Sequence, residues 1–226
     1  MKKMNKAKLI IVGEATVGKT SIILQYNENQ FIETYITTIG NDKILKEFSI
    51  KGKNFKIEIW DTAGQEKYRS VNKIFMKNTQ IALIVYSIID KNSFEQLNFW
   101  INLVKEVNKD KKIIFGIAAN KSDLFESQIV SFEEGKKFAD ENDCLFFETS
   151  AKDHKSIENL FQKLAEKYAE CNLNEKVEIK SLETTDNNNQ ISGNENDKNN
   201  EMFQQNENEN IIINKDDDDK TCSSRC

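Results

Sequence analysis

Hydrophobic residues follow two rhythms along this chain. Leu9-Ile10-Ile11-Val12, Ile81-Ala82-Leu83-Ile84-Val85-Tyr86 and Ile113 to Ala119 are continuous apolar runs, the mark of strands buried on both faces, and Cys144-Leu145-Phe146-Phe147 reads as a shorter strand. Residues 43 to 61 alternate instead. The runs Lys43 to Ile50 and Asn54 to Asp61, split by Lys51-Gly52-Lys53, predict an antiparallel hairpin with Phe55, Ile57 and Ile59 on one face and Lys56, Glu58 and Trp60 on the other. Helical spacing is expected from about Gly18 to Tyr26, from Ser93 to Val107, from about Ser131 to Glu141, and from about Ser156 to Cys171 with Ile157, Leu160, Leu164 and Tyr168 on one face. Phe31 to Gly40 reads as an irregular loop, and the segment after Gly64 up to Asn78 as polar and weakly helical. Buried strands alternating with amphipathic helices predict an α/β, three-layer architecture. It has a mostly parallel six-stranded sheet with one antiparallel edge strand and helices on both faces. Ligands of such sheets sit at the carboxyl ends of the strands.

Regular patterning stops near residue 171, so residues 1–171 are expected to form one globular domain and residues 172–226 an acidic, Asn-rich, disordered tail. The formal net charge of −5 is uneven: residues 172–226 hold 6 Lys+Arg against 13 Asp+Glu, which leaves the body near +2. No nucleic-acid footprint results. No apolar run is long enough to span a bilayer, and Met1-Lys2-Lys3-Met4-Asn5-Lys6 carries no signal-peptide core, so a cytoplasmic location is expected. Cys144 and Cys171 are expected to be small buried hydrophobes rather than a disulfide pair. Asp216-Asp217-Asp218-Asp219-Lys220 looks like a protease recognition tag, and reads equally well as a solvated charge run.

The chemistry begins at Gly13-Glu14-Ala15-Thr16-Val17-Gly18-Lys19-Thr20, which fits G-x-x-x-x-G-K-[ST] between a buried strand and a helix that continues through Ser21. In that context backbone N–H groups converge on phosphate oxygens at a helix N-terminus, with glycines permitting the turn and close approach. Lys19 supplies a charge for the outer phosphates, and the Thr20 hydroxyl suits the magnesium that nucleoside triphosphates carry. The bland alternative is a Gly-containing turn with an exposed Lys. Trp60-Asp61-Thr62-Ala63-Gly64-Gln65-Glu66 puts a metal-holding acid, Asp61, at a strand end, a glycine N–H (Gly64) for the terminal phosphate, and Gln65 where it would orient an attacking water. Asn120-Lys121-Ser122-Asp123 follows a buried strand, and Asp123 suits the two N–H groups on guanine's edge, which adenine does not offer.

These loops, in this order, resemble the small GTPases of the Ras superfamily, most of all the Rab branch, over about residues 7 to 170. Rab-like stretches include Lys56-Ile57-Glu58-Ile59-Trp60, Ala63-Gly64-Gln65-Glu66-Lys67-Tyr68-Arg69 and Ile84-Val85-Tyr86-Ser87. The resemblance implies a P-loop NTPase fold, GTP and GDP as ligands, Mg2+ as cofactor, and slow hydrolysis of GTP to GDP and phosphate with Gln65 as catalytic residue. It implies nucleotide contacts from the whole Gly13–Thr20 loop and Ser21, from Tyr35 on the first switch, from Phe31 at the guanine ring, and from Lys121 stacked over the base. By the same likeness Thr38 joins Thr20 and Asp61 around the metal, and Ser150-Ala151-Lys152 of Glu148-Thr149-Ser150-Ala151-Lys152 reads guanine's carbonyl. The implied partners are an exchange factor, an activating protein and effectors in membrane trafficking. Cys222 and Cys226 are candidates for prenylation, which would add a membrane surface, although neither the C-a-a-X pattern nor paired Rab-type cysteines is matched.

The chain also departs from that pattern. Asn41-Asp42-Lys43 follows Thr38-Ile39-Gly40 where small or apolar residues are usual, and Lys43 falls where an aromatic normally joins Trp60 and Phe75 on a partner-facing surface. Trp60 and Phe75 read equally well as core residues. Ala15 stands where Ras-type proteins carry glycine, which predicts a modest hindrance to an activating protein's arginine. His154 reads as a surface residue, and Trp100 as packing on its helix. Three alternatives stay open: a GTP-bound scaffold that hardly hydrolyses, a soluble non-Rab signalling GTPase, and an adenine-specific P-loop enzyme, the last disfavoured by Asp123.

Overall fold

The computed structural model describes residues 5–32, 43–62, 73–109 and 111–186. Six strands form one sheet in the order β2-β3-β1-β4-β5-β6. They are β1 (Asn5–Val12), β2 (Lys43–Ile50), β3 (Lys53–Asp61), β4 (Ile81–Ser87), β5 (Ile114–Asn120) and β6 (Leu145–Glu148). Only β2 runs antiparallel to its neighbour, pairing with β3, while β1 lies parallel to both β3 and β4. The expected six-stranded sheet with an antiparallel edge is therefore present. Ile50 pairs with Lys53, so the hairpin loop is the two residues Lys51 and Gly52. Both have positive φ, 51° and 73°, which matches the twist of the strands they join.

Strand alternation sorts the sheet's residues into two cores. Ala7, Leu9, Ile11, Phe55, Ile57, Ile59, Ile81, Leu83 and Val85 point to one side. There they meet α1 (Lys19–Glu28) and α5 (His154–Asp186) through Ile22, Ile157, Leu160 and Leu164. Ile10, Val12, Ala82, Ile84, Tyr86 and Ile117 point to the other side, toward Leu97, Trp100, Ile101 and Val104 of α3 (Leu97–Val107) and Ala139 of α4 (Phe132–Glu141). At about 25 cal/mol per Å² of apolar surface, these two layers supply most of the drive to fold.

Local chemistry fixes the element ends. Asn29 closes α1 in the left-handed conformation, its N–H returning to the Gln25 carbonyl. Asp90 caps α2 (Lys91–Glu95) by accepting from the Ser93 N–H. Ser131 and Glu134 form a reciprocal capping box at the start of α4. Three features differ from the expectation. The helix anticipated over Ser93 to Val107 is interrupted at Gln96, which ends one segment with its N–H donating to the Asn92 carbonyl at 3.1 Å and starts the next with its carbonyl accepting from the Trp100 N–H at 3.2 Å. A 3-10 segment, Ser122–Ser127, follows β5. The last helix runs past Cys171 to Asp186, through a stretch whose Glu, Lys and Leu content favours helix.

Candidate functional site

The loop between β1 and α1 depends on two glycines for steric reasons specific to this fold. Gly13 has φ 145° and Gly18 φ 100°. A Cβ on Gly13 would stand 2.3 Å from the Val85 carbonyl oxygen of β4, and one on Gly18 would stand 2.4 Å from Nδ2 of Asn120. Thr16 also takes positive φ, 63°. Ala15 on the loop and Ser21 on α1 are half-buried, and Val17 is fully buried.

Lys19, the first residue of α1, is 6% exposed and donates from Nζ to the carbonyls of Gly13 at 3.0 Å and Glu14 at 2.6 Å. Burial pushes its ammonium down to about 8, against the opposing pull of the Asp61 and Glu14 carboxylates. Beside it, the Thr20 hydroxyl donates to Oδ2 of Asp61 at 2.7 Å. Asp61 ends β3 and is buried, and the next residue, Thr62, anchors that strand end by donating to the Ile11 carbonyl at 2.6 Å. Two of the three expected metal-holding residues are thereby brought together.

The second half of the site gathers at the ends of β5 and β6. Asn120 donates from Nδ2 to the Val17 carbonyl at 2.8 Å and accepts on Oδ1 from the Thr149 hydroxyl at 3.3 Å. Backbone bonds from Thr149 to Ala119 and from Ser122 to Thr149 hold the two loops side by side. Lys121 takes a left-handed φ of 65°. Its ammonium is lowered by burial, opposed by Asp90 and Asp123. The Asp123 carboxylate accepts from the Ser150 hydroxyl at 2.7 Å and pairs with Lys152 Nζ at 3.4 Å. Burial works to raise its pKa, but the Ser150 and Lys152 contacts outweigh it and hold the group below the usual carboxylate range. Ala151 is buried between them. Lys152 Nζ also stands 5.3 Å from the centre of the Phe31 ring, so one lysine connects two expected base-side residues.

Tyr35, Thr38, Gly64, Gln65, Cys222 and Cys226 lie outside the described residues. Of the remaining expectations, the Trp60 and Phe75 rings lie 6.0 Å apart and tilted by 38°, with Lys8 and Lys43 ammonium groups 4.6 and 5.3 Å from the centre of the Trp60 ring. His154 is not a simple surface residue: it is half-buried, with Nδ1 3.1 Å from the Gln25 carbonyl oxygen at the end of α1. Cys144 and Cys171 are free thiols and only half-buried. Sequence reasoning missed Thr149, whose buried hydroxyl was visible only as a small polar residue inside an otherwise recognisable loop. It also missed Trp100, which is 1% exposed and donates from Nε1 to the Glu14 carboxylate at 3.2 Å.

No helix among the described residues is long and apolar enough to cross a membrane. Residues 8–170 match the family model described as the Ras family. Over 160 residues the chain is 39% identical to Ras-related protein RabQ of Dictyostelium discoideum, an alignment spanning 71% of this chain and 78% of that protein. It is 36% identical to Ras-related protein RIC1 of rice, Oryza sativa subsp. japonica, across 70% of this chain and 78% of that protein. It is likewise 36% identical to Ras-related protein RABD2a of Arabidopsis thaliana, across 70% of this chain and 77% of that protein. With its strand order, its phosphate loop and the paired loops after β5 and β6, this chain belongs to the Ras family and is a Rab-like small GTPase.

Proposed function

We propose that one guanine nucleotide lies across the carboxyl ends of the strands, its phosphates over Gly13–Thr20 and its base between the loops holding Lys121, Asp123 and Ser150–Lys152. The observation that carries this reading is the Asn120 side chain, which joins the phosphate loop at Val17 to the base-side loop at Thr149. A ligand touching both halves would meet a site whose spacing is already set. Asp123, held ionised by Ser150 and Lys152, supplies acceptors for the guanine N–H groups.

The hydroxyl of Thr20 and the carboxylate of Asp61 form an all-oxygen pair suited to Mg2+, a hard cation that keeps several waters and binds through few protein groups. When bound, that ion neutralises charge building on the phosphates. Lys19 exchanges its two carbonyl partners for phosphate oxygens, a substitution that offsets the burial of its charge. We assign Gln65 to orienting the attacking water, and Thr38 and Gly64 to ordering two loops around the terminal phosphate. Unassisted hydrolysis is slow, and an activating protein's arginine contributes about 10³ to 10⁵ in rate. The resulting switch serves vesicle and membrane trafficking through an exchange factor and effectors, with prenylation at Cys222 or Cys226 as its membrane attachment.

The test is nucleotide competition on wild-type protein, Lys19→Ala and Asp123→Ala, with single-turnover hydrolysis alongside. Asp123 removes two charge-assisted bonds when truncated, each about 1.5–3 kcal/mol, so GTP and GDP affinity should fall at least about 100-fold. Lys19→Ala should abolish binding. Equal competition by ATP and GTP in the wild type would sink the base assignment, and tight binding without phosphate release would favour a scaffold.

A further inference from the structure

Trp100 and Glu14 are 86 residues apart in sequence and meet through one hydrogen bond, indole Nε1 to carboxylate Oε1 at 3.2 Å. The indole is locked. It is 1% exposed within the core that also holds Val12, the residue immediately before the phosphate loop. Phe99 packs on it edge-on at 5.3 Å. Glu14 is the second residue of that loop, and its own carbonyl accepts from Lys19 Nζ at 2.6 Å. The loop's one carboxylate is thus fastened at its tip by α3 while its main chain holds the lysine of the motif.

A carboxylate in a loop that receives a polyanion is a hazard, because a freely rotating charge of the same sign repels the ligand. Fastening it to a rigid donor on a neighbouring helix removes that freedom and fixes the Glu14 peptide as well. We propose that Trp100 is a positioning residue for nucleotide binding, its indole N–H restraining the Glu14 carboxylate so that the phosphate loop keeps the shape that receives the triphosphate. This rests on reading Gly13–Thr20 as the phosphate site. Side-chain packing alone would need only the ring, whereas this role needs the N–H and the charge it restrains.

Dissociation constants for GTP and GDP, together with GDP release rates, are measured on the full chain for wild type, Trp100→Phe, Glu14→Gln and the double variant. Trp100→Phe should weaken both nucleotides about tenfold, the scale of a hydrogen bond to a charged group. In the Glu14→Gln background, where no charge needs restraint, adding Trp100→Phe should change affinity by no more than about twofold, the scale of a weak neutral hydrogen bond. Benzothienylalanine at position 100, which keeps the bicyclic shape and lacks the N–H, should reproduce the Trp100→Phe result and keeps the test intact if the smaller ring disturbs folding. An unchanged affinity without the N–H, or the same penalty in both Glu14 backgrounds, overturns the proposal. Wild-type protein that binds neither nucleotide defeats the phosphate-site reading itself and is distinguishable from either of those results.

Discussion

Nδ2 of Asn120 donates to the Val17 carbonyl at 2.8 Å, and with that bond the loop after β5 takes hold of the phosphate loop 103 residues earlier. Its other side-chain atom accepts from Thr149. Truncation to Ala would leave a buried carbonyl and a buried hydroxyl without this partner, at about 1–3 kcal/mol each. Asn120→Ala is therefore expected to weaken GTP and GDP alike, by more than tenfold, and to lower the melting temperature of nucleotide-free protein. Fluorescent-nucleotide release and thermal melting read both effects. A loss confined to guanine selectivity, with normal stability, would contradict the bridging role.

The two loop glycines should not be equivalent to the hairpin glycine. At Gly13 and Gly18 an added methyl collides at 2.3 and 2.4 Å, whereas at Gly52, φ 73°, nothing lies within 4 Å. Gly52→Ala should cost only backbone strain, about 1 kcal/mol. Gly13→Ala meets backbone on β4, which cannot swing away, and should cost more than about 3 kcal/mol or prevent folding. Gly18→Ala pushes the Asn120 side chain and should mimic Asn120→Ala. Chemical denaturation of the three variants ranks them, and a Gly13 variant as stable as the Gly52 variant would refute the steric argument.

Removal of the metal offers a separate check on the Thr20–Asp61 pair, whose hydroxyl and carboxylate touch at 2.7 Å. Chelation with EDTA should speed GDP release from wild-type protein at least about tenfold, if oxygen ligation of Mg2+ contributes even 1.4 kcal/mol. In Asp61→Ala, release should already be fast and chelation should add little. A full EDTA response in that variant would remove Asp61 from the metal site.

Burial pushes the Cys144 thiol up to about 11, above its ordinary value, with Lys105 opposing and Asp143 assisting. A group whose acid form is favoured by the fold contributes stability that is fully present below the unfolded pKa and is lost as pH rises through the folded one. Stability should therefore decline between about pH 9 and 11 from this source. At pH 8 the native thiol should react with a disulfide reagent far more slowly than the same cysteine in denaturant. Peptide mapping after timed labelling checks it; equal rates in the two states would show that Cys144 is open to solvent.

The sheet was legible because its residues obey a simple rule: a strand buried on both faces must be apolar throughout, and β1, β4 and β5 are. The hairpin announced itself by alternation, with Phe55, Ile57 and Ile59 buried as expected. The phosphate loop and the base-side loops were legible because main-chain geometry and fixed charges leave few residue choices. What escaped depended on contacts between distant residues. Nothing in the spacing of Trp100 says that its N–H finds Glu14, since a packing tryptophan and a donating one occupy the same stripe. His154 looked solvated because polar neighbours surround it in sequence, yet the end of α1 lies against it in space. The break at Gln96 and the extension of α5 are decided by local capping and by propensity, both weaker signals than the hydrophobic pattern that flanks them.

The antiparallel strand β2 occupies one margin of the sheet, and no further described strand pairs with its outer side. A margin of that kind invites self-association into fibrils, since it offers main-chain donors and acceptors to any extended segment that drifts near. Here Lys43, Lys46, Glu47 and Lys51 crowd that border, and the opposite margin, β6, is only four residues long. Charged side chains along one rim and brevity at the other both oppose edge-to-edge pairing of copies.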